Sequence, residues 1–218
     1  MDLELLEHLQ SFLTERRRNL FDQVLAERTR HFTVVTEDVY QLHNTSAVMR
    51  SCDVFGVQDL HVVEERLGKK MDREIAMGAQ KWVNVHRYPD VSKCIEQLKQ
   101  EGYQLIATTP HDDSQLLHDF DVTRKTAFFF GTERDGVSEE VMEAADGFLK
   151  IPMYGFTESL NISVSAAIIL QNVVTKLKQS EVAWQLSEEE KAILQLEWTK
   201  KTIKSAAKIV ERFYENRS

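Results

Sequence analysis

Residues 151–168 read IPMYGFTESLNISVSAAI, and the rest of the fold is organised around this stretch. The mostly apolar run 148–151 is typical of the end of a strand, and Pro152 stops that strand. An apolar helix with small serine and alanine residues follows Asn161, although a buried helix with a serine cap would give the same pattern. Polar side chains and free amide groups therefore gather where a helix starts at a strand's carboxyl end. This is the usual ligand crevice of open α/β sheets.

The composition is that of an ordinary globular protein. With 218 residues, 42% hydrophobic and 28% charged, the chain suits one domain with appendages. No run approaches the ~18 apolar residues of a membrane span, and the acidic start MDLELLEHLQ lacks the basic region of a signal peptide. Cys52 and Cys94 are far apart and form no CxxC motif, which favours free thiols. We therefore expect a cytoplasmic protein without membrane contact and without a metal.

The basic residues are concentrated at the two ends of the chain. A net charge of −8 argues against nucleic-acid binding. However, residues 16–30 hold five arginines against two acids, and residues 199–218 hold six lysines and arginines against two acids. Leucine spacing predicts two short helices, or one bent helix, at the amino end, with Arg16, Arg17, Arg18 and Arg28 facing out. These charges either solvate a helix face or contact RNA phosphates.

Hydrophobic periodicity predicts alternating strands and helices through the middle of the chain. Strands are expected at residues 32–36, 60–64, 82–86, 104–108, 127–131 and 148–151, and residues 69–81 as helix or loop. This order predicts an α/β fold with a mainly parallel sheet and helices on both faces. Asn44 is expected to cap a helix that ends at Gly56, and Ser138 to cap another. Ser187 and Glu190 form a capping box that opens one long helix towards the carboxyl end.

Three stretches carry the functional signal: NTSAVMR at residues 44–50, FFFGTERDG at 128–136, and the stretch quoted first. The glycine spacing from Gly131 to Gly136 is that of a phosphate loop, but Val137 stands where such a loop needs lysine, which argues against nucleoside triphosphate binding. Together, NxxxxxR, FGTERDG and IPMxGxxxSLN resemble the three ordered motifs of the SpoU (TrmH) branch of the SPOUT RNA methyltransferases. With TEDVYQLHN and RSCDVFGV, the resemblance covers nearly the whole chain.

The resemblance implies a fold, a reaction and partners. It implies a deep carboxyl-terminal trefoil knot in a Rossmann-like domain. We expect this domain at residues 31–180, between a helical RNA-binding extension at 1–30 and a basic helical extension at 181–218. It implies a homodimer that binds S-adenosylmethionine and methylates a ribose 2′-hydroxyl, with guanosine 18 in the D-loop of tRNA as the expected target. A ribosomal RNA ribose is an alternative target, and a non-catalytic RNA-binding module is an alternative of another class.

The resemblance also assigns roles to residues. Arg50 would activate the 2′-hydroxyl, although arginine is effectively always protonated. It would therefore either lose its proton in a dry site or stabilise the developing alkoxide. Asn44 and Glu133 would orient the site, while Ser159 and Asn161 would fix the loop and the ribose or its phosphate. Three strand-end loops would meet around the cofactor, which would be held by Thr108, Gly131, Ile151 and Leu160.

The residues expected to contact RNA are Arg16, Arg17, Arg28, His43, Lys200, Lys201 and Lys204.

Overall fold

The computed structural model describes residues 2–39, 42–64, 78–109, 114–132 and 134–217, without the side chains of residues 42 and 43. The chain divides into two compact units. Residues 29–184 form one of them, which we call the sheet unit. Residues 1–28 and 185–218 together form the other, which we call the helical unit.

Seven parallel strands form the sheet in the described part of the sheet unit. They are β1 (Phe32–Glu37), β2 (Asp59–Val63), β3 (Asn84–Tyr88), β4 (Gln104–Thr108), β5 (Gln115–Leu116), β6 (Thr126–Phe130) and β7 (Gly147–Lys150). Their spatial order is β3-β2-β1-β6-β4-β7-β5, and every neighbouring pair is parallel. The α/β fold with a parallel sheet is therefore confirmed, and β6 lies at its centre as expected.

Helices cover both faces of this sheet. The helices of the chain are α1 (Leu3–Gln10), α2 (Glu15–Ala26), α3 (Leu42–Val54), α4 (Val91–Gln100), α5 (Glu139–Ala144), α6 (Ile162–Lys178), α7 (Glu188–Thr202) and α8 (Ala206–Glu215). Because side chains alternate along a strand, Val34 and Phe128 pack under α3 and α6, whereas Val35 and Phe129 pack under α4 and α5. None of the described helices is both long enough and apolar enough to span a bilayer.

The helix ends agree with the sequence in part. Gly56 follows α3 with a φ of +76°, as a left-handed C-cap requires, and the Ser138 hydroxyl accepts from the amide of Val141 at the start of α5. The prediction that Asn44 caps α3 is wrong, because the helix already begins at residue 42. The cap of α6 is not a serine either, since the side chain of Asn161 accepts from the amide of Ser163.

Two strands depart from the periodicity. Strand β3 lies two residues later than predicted, because Trp82 ends a short 3-10 turn at Ala79–Lys81 and its carbonyl accepts from Gln58. Strand β5 was not predicted, since two residues leave no periodic pattern. Residues 69–77 of the segment predicted as helix or loop lie outside the described residues.

The helical unit contains α1, α2, α7 and α8. The two short amino-terminal helices are confirmed, and α7 packs against both. The capping box is present, with Ser187 and Glu190 bonded reciprocally. The prediction of one long helix beyond it is wrong. Ile203 is extended and Ser205 takes a left-handed φ of +58°, so the chain breaks and restarts as α8.

The predicted exposure of Arg28 in this unit is wrong. Its side chain was expected to face solvent, but the residue is only 1% exposed. Its guanidinium lies 5.3 Å from the ring centroid of buried Trp198, a cation–π contact that holds it inside. Arg28 therefore has no surface to offer to RNA. Arg16, Arg17 and Arg18 are exposed on α2, as expected.

A buried carboxylate joins the amino-terminal ends of three strands. Asp59 Oδ1 accepts from His86 Nε2 at 2.9 Å and from Asn84 Nδ2 at 3.2 Å, while Oδ2 accepts from Arg30 Nε at 2.8 Å. Burial raises the pKa of Asp59, but the His86 hydrogen bond and the Arg30 charge outweigh burial and lower the pKa to about 2. The same hydrogen bond raises the pKa of His86.

His61 lies beside this network in a neutral, buried position. Its Nδ1 is 3.0 Å from the Tyr88 hydroxyl, and its ring stacks on His86 with centroids 4.7 Å apart. Burial, helped by the charge of His86, lowers the pKa of His61 to about 4, although Asp59 opposes the shift. The folded-state pKa therefore lies below the unfolded value of about 6.5.

We expect His61 to make the fold acid-sensitive. Its contribution to the free energy of unfolding is complete above about pH 6.5 and is lost as the pH falls through 4, by about 3 kcal/mol in total. Urea unfolding of the full chain between pH 7 and 4 measures this loss. The loss should be smaller in His61→Gln, whereas His118→Gln, at an exposed histidine, should follow the wild type. A His61→Gln profile as steep as the wild type would contradict this role.

Candidate active site

A cavity of ≈ 360 Å³ lies at the carboxyl ends of β4, β6 and β7. Its wall comes from Thr108 and Thr109 at the end of β4 and from the described residues 130–132 and 134–137 around the end of β6. Residues 149–151, 153 and 158–160, around and after the end of β7, form the rest of this wall. Met142 of α5 and Ile162 and Ser165 of α6 complete it. The structure thus brings together the three strand-end loops that were expected to meet. Each cofactor residue named in the sequence analysis, Thr108, Gly131, Ile151 and Leu160, lines the cavity.

The loop after β6 is closed tightly on itself. The amide of Thr132 donates to the Gly136 carbonyl at 2.8 Å, and the amide of Gly136 donates back to the Thr132 carbonyl at 3.0 Å. A Cβ atom at Gly131 would lie 1.9 Å from the carbonyl oxygen of Gly136. The loop can therefore take this shape only with glycine at residue 131, which lets the backbone itself form the cavity wall.

Hydrogen bonds between neighbouring elements fix the rim. The hydroxyl of Thr108 donates to the Phe129 carbonyl at 2.8 Å, which ties β4 to β6. The amide of Ser138 donates to a carboxylate oxygen of Glu37 at 2.9 Å, which ties the start of α5 to the end of β1. The amide of Thr109 donates to the Leu149 carbonyl at 3.0 Å. These bonds join the ends of β1, β4, β6 and β7 to one another or to the start of α5, so the rim of the cavity is fixed to the sheet.

The first and third motifs meet through two asparagines. Asn161 Nδ2 donates to Asn44 Oδ1 at 3.1 Å, and Asn161 Oδ1 accepts from the amide and the hydroxyl of Ser163. One side chain therefore caps α6 and also holds α3. Asn44 is buried, so its part in the geometry is to fix the position of α3 beside the loop 151–160.

The structure separates Arg50 from this group. Arg50 lies six residues after Asn44 on α3, about 9 Å further along the helix axis, and it is exposed. It is not among the described residues that line the cavity of its own chain. Ser159 does line the cavity. Glu133 lies outside the described residues, and so does the side chain of His43.

Several lining residues were missed in the sequence. Gly136 ends the FGTERDG stretch and Val137 follows it. The sequence did contain a signal for these two residues, since their loop was expected to follow a strand. Met142 and Ser165 lie on helices, and hydrophobic periodicity does not predict how these helices are oriented. The other lining residues without an assigned role are Thr109, Phe130, Thr132, Arg134, Asp135, Leu149, Lys150, Met153, Glu158 and Ile162.

The cavity has the chemistry of a small-molecule site. Its lining combines apolar residues such as Phe130, Leu149 and Ile162 with polar residues such as Thr108, Lys150 and Ser159. A volume of ≈ 360 Å³ is within the range of ligand pockets, which are mostly apolar with a few placed polar groups.

Comparisons with known proteins agree on the family. The SpoU rRNA Methylase family matches this chain over residues 31–171. A tRNA (guanosine(18)-2′-O)-methyltransferase of Borreliella burgdorferi is 36% identical over 197 residues, which is 90% of this chain and 90% of the relative.

Solved structures agree as well. The A. aeolicus TrmH/SpoU tRNA modifying enzyme superposes with a TM-score of 0.77 at 32% identity, covering 87% of this chain and 98% of its own. The SpoU methyltransferase AviRb of Streptomyces viridochromogenes, solved with the cofactor AdoMet, has the same fold at 24% identity and a TM-score of 0.59, covering 73% of this chain and 62% of its own. The family match includes all three motif stretches and strands β1 to β7, and the chain belongs to the SpoU rRNA Methylase family.

Proposed function

We propose that this chain transfers a methyl group from S-adenosylmethionine to the ribose 2′-hydroxyl of guanosine 18 in tRNA. The observation that carries the proposal is the cavity lined by the second and third motif stretches. The chain that carries it is 36% identical, over 90% of its length, to a relative named tRNA (guanosine(18)-2′-O)-methyltransferase. A ribosomal RNA ribose is the alternative target of the same chemistry.

S-adenosylmethionine fits the residues that are present. The adenine would lie against the apolar walls, with backbone groups near Gly131, Ile151 and Leu160 as hydrogen-bond partners and Thr108 at the edge. The glycine at residue 131 supports this placement, because it brings bare backbone to the cavity. When bound, the cofactor supplies an electrophilic methyl group on a sulfonium.

The protein must align a weakly acidic alcohol with that methyl group and accept its proton. We assign activation of the 2′-hydroxyl to Arg50, either by stabilising the developing alkoxide or by losing its own proton in a dry site. The bond between Asn44 and Asn161 supports a positioning role for both, since it fixes α3 against the loop that carries Ser159. We assign Ser159 to the ribose or its phosphate, and Glu133 to orienting the site.

The reaction is tested with labelled S-adenosylmethionine and two tRNA transcripts, one complete and one with 2′-deoxyguanosine at position 18. The proposal expects methyl transfer to the first and none to the second, because the second lacks the nucleophile. Equal labelling of both would place the methyl group elsewhere. Labelling of ribosomal RNA but not of tRNA would favour the other target, and binding of RNA without transfer would favour a non-catalytic module.

We propose that the working site is shared between two copies of the chain. Arg50 is exposed and is not among the described lining residues of its own cavity. Helix α6 presents Val164, 44% exposed, and Ile168, 37% exposed, and the loop before it exposes Tyr154 and Phe156. A two-fold interface on this apolar surface would cover it and place Arg50 near the partner's cavity. The knot implied by the resemblance stays a prediction.

Light scattering at micromolar concentration tests the dimer. We expect a mass near two chains, and a shift towards one chain in Ile168→Asp, because a buried unpaired carboxylate opposes association. Ile193→Asp, at an exposed isoleucine of α7, is the matched control and should keep the wild-type mass. A wild-type mass near one chain would remove both the dimer and the shared site.

We also propose that the exposed basic residues of the helical unit bind tRNA phosphates. Changing Arg16 and Arg17, or Lys200, Lys201 and Lys204, to alanine should weaken tRNA binding and lower its salt slope by about one unit for each lost contact. Fluorescence anisotropy across a salt series measures both quantities. Slopes equal to the wild-type slope would make these residues an ordinary solvated face.

The buried thiols Cys52 and Cys94 fit a reducing cytoplasmic setting.

A further inference from the structure

The helical unit has a pocket of its own between the end of α1 and α8. Its volume is about 470 Å³, and we call it the α1–α8 pocket. Its described lining carries the basic groups of His8, Arg212 and Arg217 and no carboxylate. The remaining described lining is Phe12, Ile209, Phe213 and Asn216. A concave surface that combines aromatic rings with arginine side chains is complementary to a ligand that has both a flat aromatic face and a negative charge.

The aromatic rings of the pocket hold one another in place. The His8 ring meets Phe12 edge-on at 5.4 Å and lies 5.0 Å from Phe213, tilted by 33°. The guanidinium of Arg217 covers Phe213 at 4.6 Å from its centroid and pairs with Glu4. Phe12 nevertheless remains 53% exposed. The pocket therefore offers a fixed ring whose surface no part of the described chain covers fully.

We propose that the α1–α8 pocket binds an unpaired base of RNA, stacked on Phe12. Every nucleobase has a π-face, and proteins take up unpaired RNA bases by stacking them on aromatic side chains inside positively charged grooves. The exposed guanidinium of Arg212 is placed for the flanking phosphate, and the amide of Asn216 both donates and accepts, as a base edge requires. The inference rests on the proposed function, since it supposes an RNA ligand, and it adds a contact outside the methyl-transfer cavity.

The test compares base-bearing with abasic RNA. Hexaadenylate and its abasic counterpart carry the same phosphates, so their affinity difference reports the contacts made to the bases, and the Phe12 variant isolates stacking among them. Wild-type protein should bind hexaadenylate on the order of tenfold more tightly. Phe12→Leu, which removes the ring but keeps an apolar side chain, should bind both equally and with the wild-type salt slope. Arg212→Ala should instead keep the preference and lower the slope by about one unit.

Two further variants keep the result interpretable. Leu3→Ala, at an exposed residue of α1 outside the described lining, is the matched control and should behave as wild type. Phe213→Leu should lose the preference as Phe12→Leu does, and circular dichroism checks that each variant is folded. Equal wild-type affinity for the two oligonucleotides would overturn the proposal. So would a change of mass in light scattering for Phe12→Leu with the base preference kept, which would make the pocket a protein interface.

Methyl transfer to tRNA by the wild-type protein is measured in parallel. Transfer to tRNA together with a base preference that ignores Phe12 would leave the proposed function standing and remove the pocket. Absence of transfer together with a preference that depends on Phe12 would remove the proposed function and leave the pocket as an RNA site.

Discussion

Arg50→Ala should abolish methyl transfer while the cofactor still binds. We expect turnover on tRNA to fall roughly 10³-fold, about 4 kcal/mol of barrier, because a group that assists proton removal typically contributes 10² to 10⁴. Arg50 is exposed on α3 and is not among the described residues that line its own cavity. Its loss should therefore leave the free energy of unfolding and the calorimetric affinity for S-adenosylmethionine nearly unchanged.

The control for Arg50 is Arg124→Ala, an exposed arginine of the sheet unit outside the described cavity lining. It should turn over like the wild type. Arg50→Lys tests whether a positive charge alone is enough, because lysine keeps the charge but lacks the planar fork of the guanidinium. Turnover of Arg50→Ala within about tenfold of wild type would end the assignment. Equal loss of turnover and of cofactor affinity would make Arg50 a structural residue.

The sheet could be predicted because its strands are buried on both faces. Strands β1, β4 and β6 read as short apolar runs between polar loops, which is what a parallel sheet covered by helices requires. Strand order could not be predicted in this way. The sequence does not say that β6 lies between β1 and β4, because that neighbour relation depends on pairing between distant segments.

Local patterns failed where a distant partner decides the conformation. Asn44 has the residue type of a cap, but its side chain is bonded to Asn161 far along the chain. Arg28 ends a basic helical pattern, yet its guanidinium is buried against the ring of Trp198. The break at Ser205 follows from its left-handed backbone, which is uncommon outside glycine and asparagine and leaves no periodic signal.

The cavity could be predicted better than its walls. Its three loops follow β4, β6 and β7, and the carboxyl ends of parallel strands share one edge of a sheet, so their meeting follows from the fold class. The inner surface depends on how α5 and α6 pack, which brings Met142 and Ser165 to the cavity. The separation of Arg50 from that cavity likewise depends on where α3 lies, and a motif spacing of six residues does not contain that information.

Gly131→Ala should remove cofactor binding without unfolding the sheet. The added methyl group would lie 1.9 Å from the Gly136 carbonyl oxygen and 2.2 Å from the amide nitrogen of Val137. Both are backbone atoms, so the loop 131–136 has to open and its two cross-loop hydrogen bonds must lengthen or break. Because that loop is a wall of the cavity, we expect calorimetric affinity for S-adenosylmethionine to fall on the order of a hundredfold, about 2.7 kcal/mol.

Gly155→Ala is the matched control for this prediction. It makes the same change in the loop of the third motif, but the nearest atom to its new methyl group would be 4.0 Å away, an ordinary contact. Gly155 is not among the described lining residues, so its variant should bind the cofactor like the wild type. If Gly131→Ala also binds normally, then the loop yields without changing the site, and the backbone at residue 131 does not form the cofactor wall. If both variants lose affinity, the loops respond to any added bulk and the close approach at Gly131 is not the cause.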